Sequence, residues 1–148
     1  MKLSFSGRQQ CRVPDVTHDV NPILMESSMR WRILLIEPYH DVANVIGLFL
    51  EDLGHEFDVV TDAGAEGERL IKESYECVLI NVDQNSAQWR DHGLRLAETA
   101  SRNHTPVVMI ADHELDAATA KSKGWTALQK PFTLENLESA IAHAVASA

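Results

Sequence analysis

Cysteine is scarce in this sequence: its 148 residues include two, Cys11 and Cys77. Two cysteines are too few for a disulfide scaffold, so apolar packing must hold the core together. Cys77 lies in an apolar run, which predicts a buried free thiol rather than a reactive nucleophile.

Long apolar runs are also absent. No segment approaches the roughly 18 apolar residues that a membrane-spanning helix needs. The uninterrupted apolar stretch of a signal peptide is missing after Lys2. We therefore predict a cytoplasmic protein without a membrane partner.

Basic residues are outnumbered. The chain has 13 Lys and Arg against 22 Asp and Glu, which gives a formal net charge of −9. Because phosphate contacts need clustered Lys and Arg, this balance argues against a non-specific nucleic-acid binder. Direct adhesion to anionic membranes is disfavoured for the same reason.

The first 28 residues show no apolar periodicity and contain Pro14 and Pro22. We predict a flexible N-terminal extension over residues 1–29 and one folded domain over residues 30–148. Met29 is an alternative start of translation, and the mass of the native protein distinguishes it from a start at Met1.

The remaining chain alternates short apolar runs with segments of helical spacing. Asp41 is the predicted N-cap of the first helix, Gly54 lies beyond its end, and Thr133 is the predicted N-cap of the last helix. Residues 83–90 are predicted to form a polar loop that contains Trp89. The predicted strands are 33–36, 56–61, 77–82, 106–111 and 125–129. The predicted helices are 42–53, 65–73, a segment that ends near Asn103, 115–122 and 134–145.

Five strand–helix repeats indicate an α/β fold, in which helices cover both faces of a parallel sheet. In such folds the functional residues lie beyond the carboxyl ends of the strands. The segments at these ends are Glu37-Pro38, Asn81-Val82-Asp83, Ala111-Asp112 and Lys130-Pro131.

These strand ends resemble a response-regulator receiver domain, and the resemblance covers roughly residues 31–146. Lys130-Pro131-Phe132 is its best motif, supported by Asp62-Ala63-Gly64-Ala65-Glu66 and by the run Tyr75 to Ile80. The resemblance implies a flavodoxin-like, doubly wound, five-stranded parallel sheet in the order 2-1-3-4-5 with five helices. It also implies a module of two-component or phosphorelay signalling that is not an enzyme.

The phosphotransfer chemistry implied by this resemblance is incomplete here. The family places an acidic pair after the first strand to hold magnesium, a phosphoacceptor aspartate after the third, a Ser or Thr after the fourth and a Lys after the fifth. This sequence has, in the same order, Glu37-Pro38, Asn81, Ala111 and Lys130, with Ala127 at the family's aromatic switch position.

Three of these replacements remove chemistry. An amide is a poor nucleophile, a proline side chain offers magnesium no oxygen, and alanine has no hydroxyl. We therefore predict a stand-alone pseudo-receiver that holds no cofactor, with magnesium binding disfavoured. Lys130 is expected to pair with Glu37 and to donate to the Asn81 amide oxygen.

Several alternatives stay open. Asp83 is a possible displaced phosphoacceptor, although a solvated loop acid is the favoured interpretation. Glu37, Asp41, Asp83 and Asp112, with His40 and His113, would suit a transition metal, although helix capping and surface exposure are favoured for them. The competing functions are an active phosphoacceptor that uses an atypical residue and a sensor of a small ligand or metal in the degenerate pocket.

The predicted role is a phosphorylation-independent interaction with a protein. The partner would be a histidine kinase, another receiver or an adaptor-controlled target. A homodimer through the fourth helix, fifth strand and fifth helix is a further expectation. Trp125 lies near this face, and Trp89 is either an interface anchor or a side chain folded over the third helix.

Overall fold

The structure is a computed structural model that describes residues 2–3, 29–61, 71–82, 86–112 and 114–147. Within these ranges there are six strands and four helices. The strands are β1 (Lys2–Leu3), β2 (Arg32–Ile36), β3 (Glu56–Val60), β4 (Cys77–Val82), β5 (Val107–Ala111) and β6 (Thr126–Gln129). The helices are α1 (His40–Asp52), α2 (Ala87–Arg102), α3 (Glu114–Ser122) and α4 (Leu134–Ala146). Most of the predicted helix at 65–73 lies outside the described residues.

All six strands form one sheet in the order β1-β3-β2-β4-β5-β6. The strands from β3 to β6 pair in parallel. If these five strands are numbered among themselves, their order is 2-1-3-4-5, so the predicted doubly wound sheet is confirmed.

The two-residue strand β1 was not predicted. It pairs antiparallel with β3, with Lys2 opposite Asp58 and Leu3 opposite Phe57. Two residues of the predicted flexible extension therefore lie along the edge of the sheet. The domain boundary at residue 30 stays a prediction.

The apolar strands build two core layers, because successive side chains of a strand point to opposite faces of the sheet. One layer includes Ile33, Leu35 and Leu79 and packs against α1 and α4. The other includes Leu34 and Ile80 and packs against α2 and α3. Because β2, β4 and β5 are covered on both faces, they read as nearly unbroken apolar runs in the sequence.

The helix ends follow local capping chemistry in part. Thr133 Oγ1 accepts a hydrogen bond from Asn136 N, and Asn136 Oδ1 accepts one from Thr133 N, so the predicted cap of α4 is confirmed. Gly54, with a φ of +86°, follows α1 as predicted. The predicted cap Asp41 is wrong: the N-cap is Tyr39, and Asp41 lies in the first turn, where its carboxylate still complements the helix dipole.

The predicted polar loop over residues 83–90 is wrong in its second half, because α2 begins at Ala87. Ser86 is the N-cap, and its hydroxyl accepts a hydrogen bond from Trp89 N at 3.2 Å. The first turns of α2 are rich in polar residues, so apolar periodicity did not reveal them. Trp89 is thereby a helical residue whose side chain lies in the core.

Candidate functional site

The carboxyl edge of the sheet brings together the residues that the sequence singled out. Glu37 follows β2, Asn81 lies near the end of β4, Ala111 ends β5, and Lys130 follows β6. Parallel strands present their carboxyl ends at one edge, so four distant segments converge there.

Glu37 and Asn81 form the centre of this edge. Both are buried, with Glu37 at 0% and Asn81 at 1% exposure. Asn81 Nδ2 donates to Glu37 Oε1 at 2.8 Å, and Tyr39 N donates to Glu37 Oε2 at 3.1 Å. A buried carboxylate is stabilised when both of its oxygens accept hydrogen bonds. Both oxygens of the Glu37 carboxylate thus accept hydrogen bonds from within the chain.

Trp89 fixes the backbone beside this pair. Its indole Nε1 donates to the carbonyl oxygen of Asn81 at 2.8 Å, and the bond is buried. The Asn81 Oδ1 atom is also buried and has no hydrogen-bond partner among the described residues. Asn81 is therefore held through its side-chain nitrogen and its main-chain oxygen.

Lys130 does not make the predicted contacts. Its Nζ lies 3.3 Å from Asp112 Oδ1, where a half-buried lysine meets an exposed carboxylate, and it does not contact the Asn81 amide oxygen. Its backbone N–H donates to Ala111 O at 2.9 Å, which joins the segments after β5 and β6. The expectation that Lys130 joins the strand ends through Glu37 and Asn81 is wrong. Asp112, one residue past β5, is the closer anion.

The donor set does not fit the magnesium ion that a receiver fold implies. Among the described residues, Glu37 is the one buried carboxylate that follows a strand at this edge, and the other buried side-chain oxygen beside it is the neutral Asn81 Oδ1. Magnesium prefers several hard oxygen ligands in octahedral geometry, and neither Pro38 nor Ala111 has a side-chain oxygen. Asp83 lies outside the described residues, so its predicted role stays a prediction.

The suggested transition-metal cluster is not assembled by the part of the chain that is described. No group of three or more His, Cys, Asp or Glu side chains with metal-binding proximity occurs there. Asp41 is in the first turn of α1, and Asp112 pairs with Lys130. His113 is outside the described residues.

The remaining singled-out residues lie away from this edge or deeper in the core. Trp89 is 6% exposed, which does not suit an exposed interface anchor; the alternative placed it over the third predicted helix, whereas Trp89 lies within that helix and its side chain is in the core. Trp125 is 7% exposed and immediately precedes β6, and Ala127 is partly buried against the same core layer. Cys77 is fully buried, and burial raises the pKa of its thiol to about 12, as expected for an inert side chain.

The sequence analysis did not predict an ion pair that buries its carboxylate beside the carboxyl edge. Arg90 Nη1 lies 2.6 Å from Asp116 Oδ1, and the Asp116 carboxylate is 1% exposed. This contact joins α2 to α3 behind the carboxyl edge. This ion pair could not be predicted while Arg90 was assigned to a loop. Only in a helix that begins at Ala87 does the direction of the Arg90 side chain follow from its position in the sequence.

The comparisons agree with this architecture. Residues 32–146 match the family model described as flagellar regulatory protein FleQ. The chain belongs to this family, whose domain is receiver-like. No curated protein sequence matches it.

Solved structures show the same fold. NtrX of Brucella abortus superposes with a TM-score of 0.67 at 26% identity, over 80% of this chain and 27% of NtrX, so this chain spans about a quarter of that protein's length. A response-regulator receiver domain protein of Clostridium thermocellum gives a TM-score of 0.67 at 24% identity, over 78% of this chain and 94% of that one. A response-regulator receiver protein of Sinorhizobium medicae gives a TM-score of 0.66 at 21% identity, over 78% of this chain and 94% of that one.

Within the described residues, no helix combines the length and apolarity needed to cross a membrane.

Proposed function

We propose that this chain is a pseudo-receiver: a receiver-fold signalling module that binds a protein partner and is not switched by phosphorylation. The hydrogen bond from Asn81 Nδ2 to Glu37 Oε1 carries the proposal. This bond supports the proposal because it joins the neutral amide of Asn81, which stands where the receiver resemblance expects the phosphoacceptor, to the one buried carboxylate that follows a strand at this edge among the described residues.

The physical reason is the charge that phosphoryl transfer develops. The transition state needs an in-line oxygen nucleophile and cations that neutralise its equatorial oxygens. At this edge the nucleophile is replaced by Asn81, the hydroxyl by Ala111, and Lys130 is paired with Asp112. Each loss removes a different requirement, so restoring one alone leaves the others unmet.

The proposed partner is a histidine kinase, another receiver or an adaptor-controlled target in a bacterial-type two-component circuit. The family description makes a flagellar regulatory circuit the first setting in which to look for it. We include a homodimer through α3, β6 and α4 in the proposal. Light scattering of the purified chain over a concentration series measures that association directly.

The direct test is phosphorylation in solution. The purified chain is incubated with acetyl phosphate and magnesium and then measured by intact-mass spectrometry, with an active response regulator treated in parallel as the control. We expect no gain of a phosphoryl group. A stoichiometric, acid-labile gain would show an active receiver with an atypical acceptor and would overturn the proposal.

The variant Asn81→Asp tests how many losses matter. We expect no phosphorylation of this single variant, because Pro38 and Ala111 still offer neither a metal ligand nor a hydroxyl. The combined variant Pro38→Asp, Asn81→Asp, Ala111→Thr is the matched comparison and should take up the phosphoryl group. Efficient labelling of Asn81→Asp alone would show that the metal and hydroxyl positions are dispensable.

A further inference from the structure

Helix α1 carries large apolar side chains on its outer side. Among the described residues, four large apolar side chains are exposed, and three of them, Tyr39, Val45 and Leu48, belong to α1 or its N-cap. The inner side of the same helix packs on the core through Ile46 and Leu50. A helix with apolar residues on both sides is usually covered on both. The outer side of α1 therefore has the composition of an interaction surface.

A groove of about 530 Å³ lies along this surface. We call it the α1 groove and define it by its two walls, which are Val42, Val45, Ile46 and Phe49 of α1 and the segment 130–132 after β6. The rings of Phe49 and Phe132 meet edge to face with their centroids 6.4 Å apart, which joins the two walls. The floor of the groove is thus fixed by contacts within the chain.

The shape of the α1 groove fits another helix. The four α1 residues of its wall are spaced i, i+3, i+4 and i+7, so they form one continuous apolar stripe. Such a stripe packs against the side-chain ridges of a second helix. An extended peptide would instead need a row of unpaired backbone groups, and the backbone of α1 is hydrogen-bonded within the helix.

The charges around the α1 groove are mainly negative. Helices α1 and α4 together contain five Asp and Glu and neither Lys nor Arg. On α1, Asp41 precedes the apolar stripe and Asp52 follows it within one turn, and both are exposed. The lysine that lines the groove, Lys130, pairs with Asp112 at 3.3 Å. A ligand with flanking positive charges is therefore complementary to this surface.

The helix dipoles do not reverse this sign. The N-termini of α1 and α4 lie near the groove, and each carries a partial positive charge of about half an elementary charge. Asp41 and Glu135 lie in the first turns of these helices, and a full negative charge outweighs each partial one. A second copy of the chain would bring the same acids to the interface, so like charges would oppose pairing of two α1 helices.

We propose that the α1 groove binds an amphipathic helix of a partner protein, in which Lys and Arg flank the apolar stripe. The apolar side chains of that helix would pack on Val42, Val45 and Phe49, and its basic side chains would lie near Asp41 and Asp52. This inference rests on the proposed role of the chain as a protein-binding module, and it adds the surface and the chemistry of the partner. The surface is separate from the α3, β6 and α4 face proposed for a homodimer.

A synthetic helix tests the proposal with the full chain. The probe is a fluorescein-labelled peptide of about 18 residues, long enough to form a helix, with Leu at the spacing i, i+3, i+4 and i+7 and Lys elsewhere. One control peptide has the same composition in an order without an apolar stripe, and another has Glu in place of Lys. Fluorescence anisotropy should show saturable binding of the first peptide alone, weakened by added salt.

Variants at exposed positions locate the binding. Val45→Ser removes an apolar side chain from the groove and should weaken binding of the Leu–Lys peptide about tenfold. Asp41→Asn removes one flanking charge and should weaken it about threefold. Met29→Ser, at an exposed apolar residue outside the groove, is the matched control and should bind like the unmodified chain. Circular dichroism verifies that each variant is folded.

Three results would overturn the proposal. The first is equal binding of the peptide without a stripe or of the Leu–Glu peptide. The second is unchanged affinity in Val45→Ser. The third is self-association of the chain that Val45→Ser abolishes, which would show that a second copy covers the groove. The pseudo-receiver proposal is tested by the mass of the chain after acetyl phosphate treatment, so the two proposals can fail separately.

Discussion

The two edges of the sheet contain equally buried tryptophans that differ in one hydrogen bond. At the carboxyl edge, Trp89 is 6% exposed and donates to Asn81 O. At the amino edge, Trp125 is 7% exposed and its N–H has no partner among the described residues. Burial alone therefore does not show whether the indole N–H of a tryptophan has an acceptor. The difference lies in whether a neighbouring segment supplies an acceptor.

The charges at the two edges differ as well. The carboxyl edge buries one carboxylate, Glu37, and surrounds it with donors from Asn81 and Tyr39. The amino edge leaves the ammonium of Lys121 beside an open cavity. The Glu37 carboxylate is therefore buried and hydrogen-bonded within the chain, whereas the Lys121 ammonium lies at an exposed position in the last turn of α3.

The largest expected effect comes from placing a second carboxylate beside Glu37 at the carboxyl edge. Asn81→Asp replaces the donor to Glu37 Oε1 with an anion in a fully buried position. We expect the free energy of unfolding at pH 7 to fall by about 4 kcal/mol, because an uncompensated buried charge is strongly destabilising. Urea denaturation measures this loss.

Asn44→Asp makes the same chemical change at an exposed position of α1. It should alter the free energy of unfolding by about 0.5 kcal/mol or less. If both variants were equally stable, the Glu37–Asn81 bond would have no special energetic role.

A pH-dependent effect is expected at the amino edge. His55 is buried, its Nδ1 accepts from Trp31 N at 3.2 Å, and its ring stacks on Trp31. Burial, with a smaller effect of Arg30, lowers the pKa of His55 to about 4. Because the folded protein binds the proton less readily than the unfolded chain, this stability is present above pH 6.5 and is lost as the pH falls towards 4.

The comparison of wild type with His55→Gln isolates that effect from the carboxylates. The wild type should lose up to about 3 kcal/mol more than the variant between pH 6.5 and 4. Urea denaturation at several pH values measures the difference. His104→Gln, at an exposed histidine, is the control and should follow the wild type. Parallel curves for the wild type and His55→Gln would contradict the expectation.

The smallest effect is the sharpest test of the two tryptophans. Trp89→Phe removes an N–H that donates to Asn81 O, whereas Trp125→Phe removes an N–H without a partner. Both lose similar apolar surface, so Trp89→Phe should be more destabilising by about 1.5 kcal/mol. Thermal and urea unfolding of both variants give the difference. Equal losses would remove the contrast between the two edges.

Much of the fold could be predicted because its signals are local. The apolar run Cys77–Val82 became β4 with the predicted bounds, and Thr133 capped α4 as predicted. The start of α2 could not be predicted in this way, because its first turns are polar and its cap at Ser86 is a short-range signal within a polar segment. Strand β1 was not predicted, because two residues are too few to show the alternation of apolar and polar side chains that marks a strand. Its pairing with β3 depends on a segment more than 50 positions away in the sequence.

The positions of four candidate residues could be predicted, their contacts could not, and their role in a site stays a prediction. Glu37, Asn81, Ala111 and Lys130 do meet at one edge, since each follows or ends a parallel strand. The partner of Lys130 was predicted wrongly, because the choice between Glu37 and Asp112 depends on distances across the edge that spacing along the chain does not contain. The role of Trp89 was missed for the same reason, as it depends on how α2 packs over β4.

The sequence by itself determined the class of the fold and the residues that stand at its strand ends. Those features follow from apolar periodicity, caps and chain order, which are local properties. Only the tertiary structure decided which donors have partners. Asn81 Nδ2 donates to Glu37, Lys130 forms an ion pair with Asp112, and the Trp89 N–H donates to the Asn81 carbonyl oxygen. The Trp125 N–H has no acceptor among the described residues. Hydrogen bonds act over about 3 Å, so segments remote in sequence must be packed before any of these choices is made.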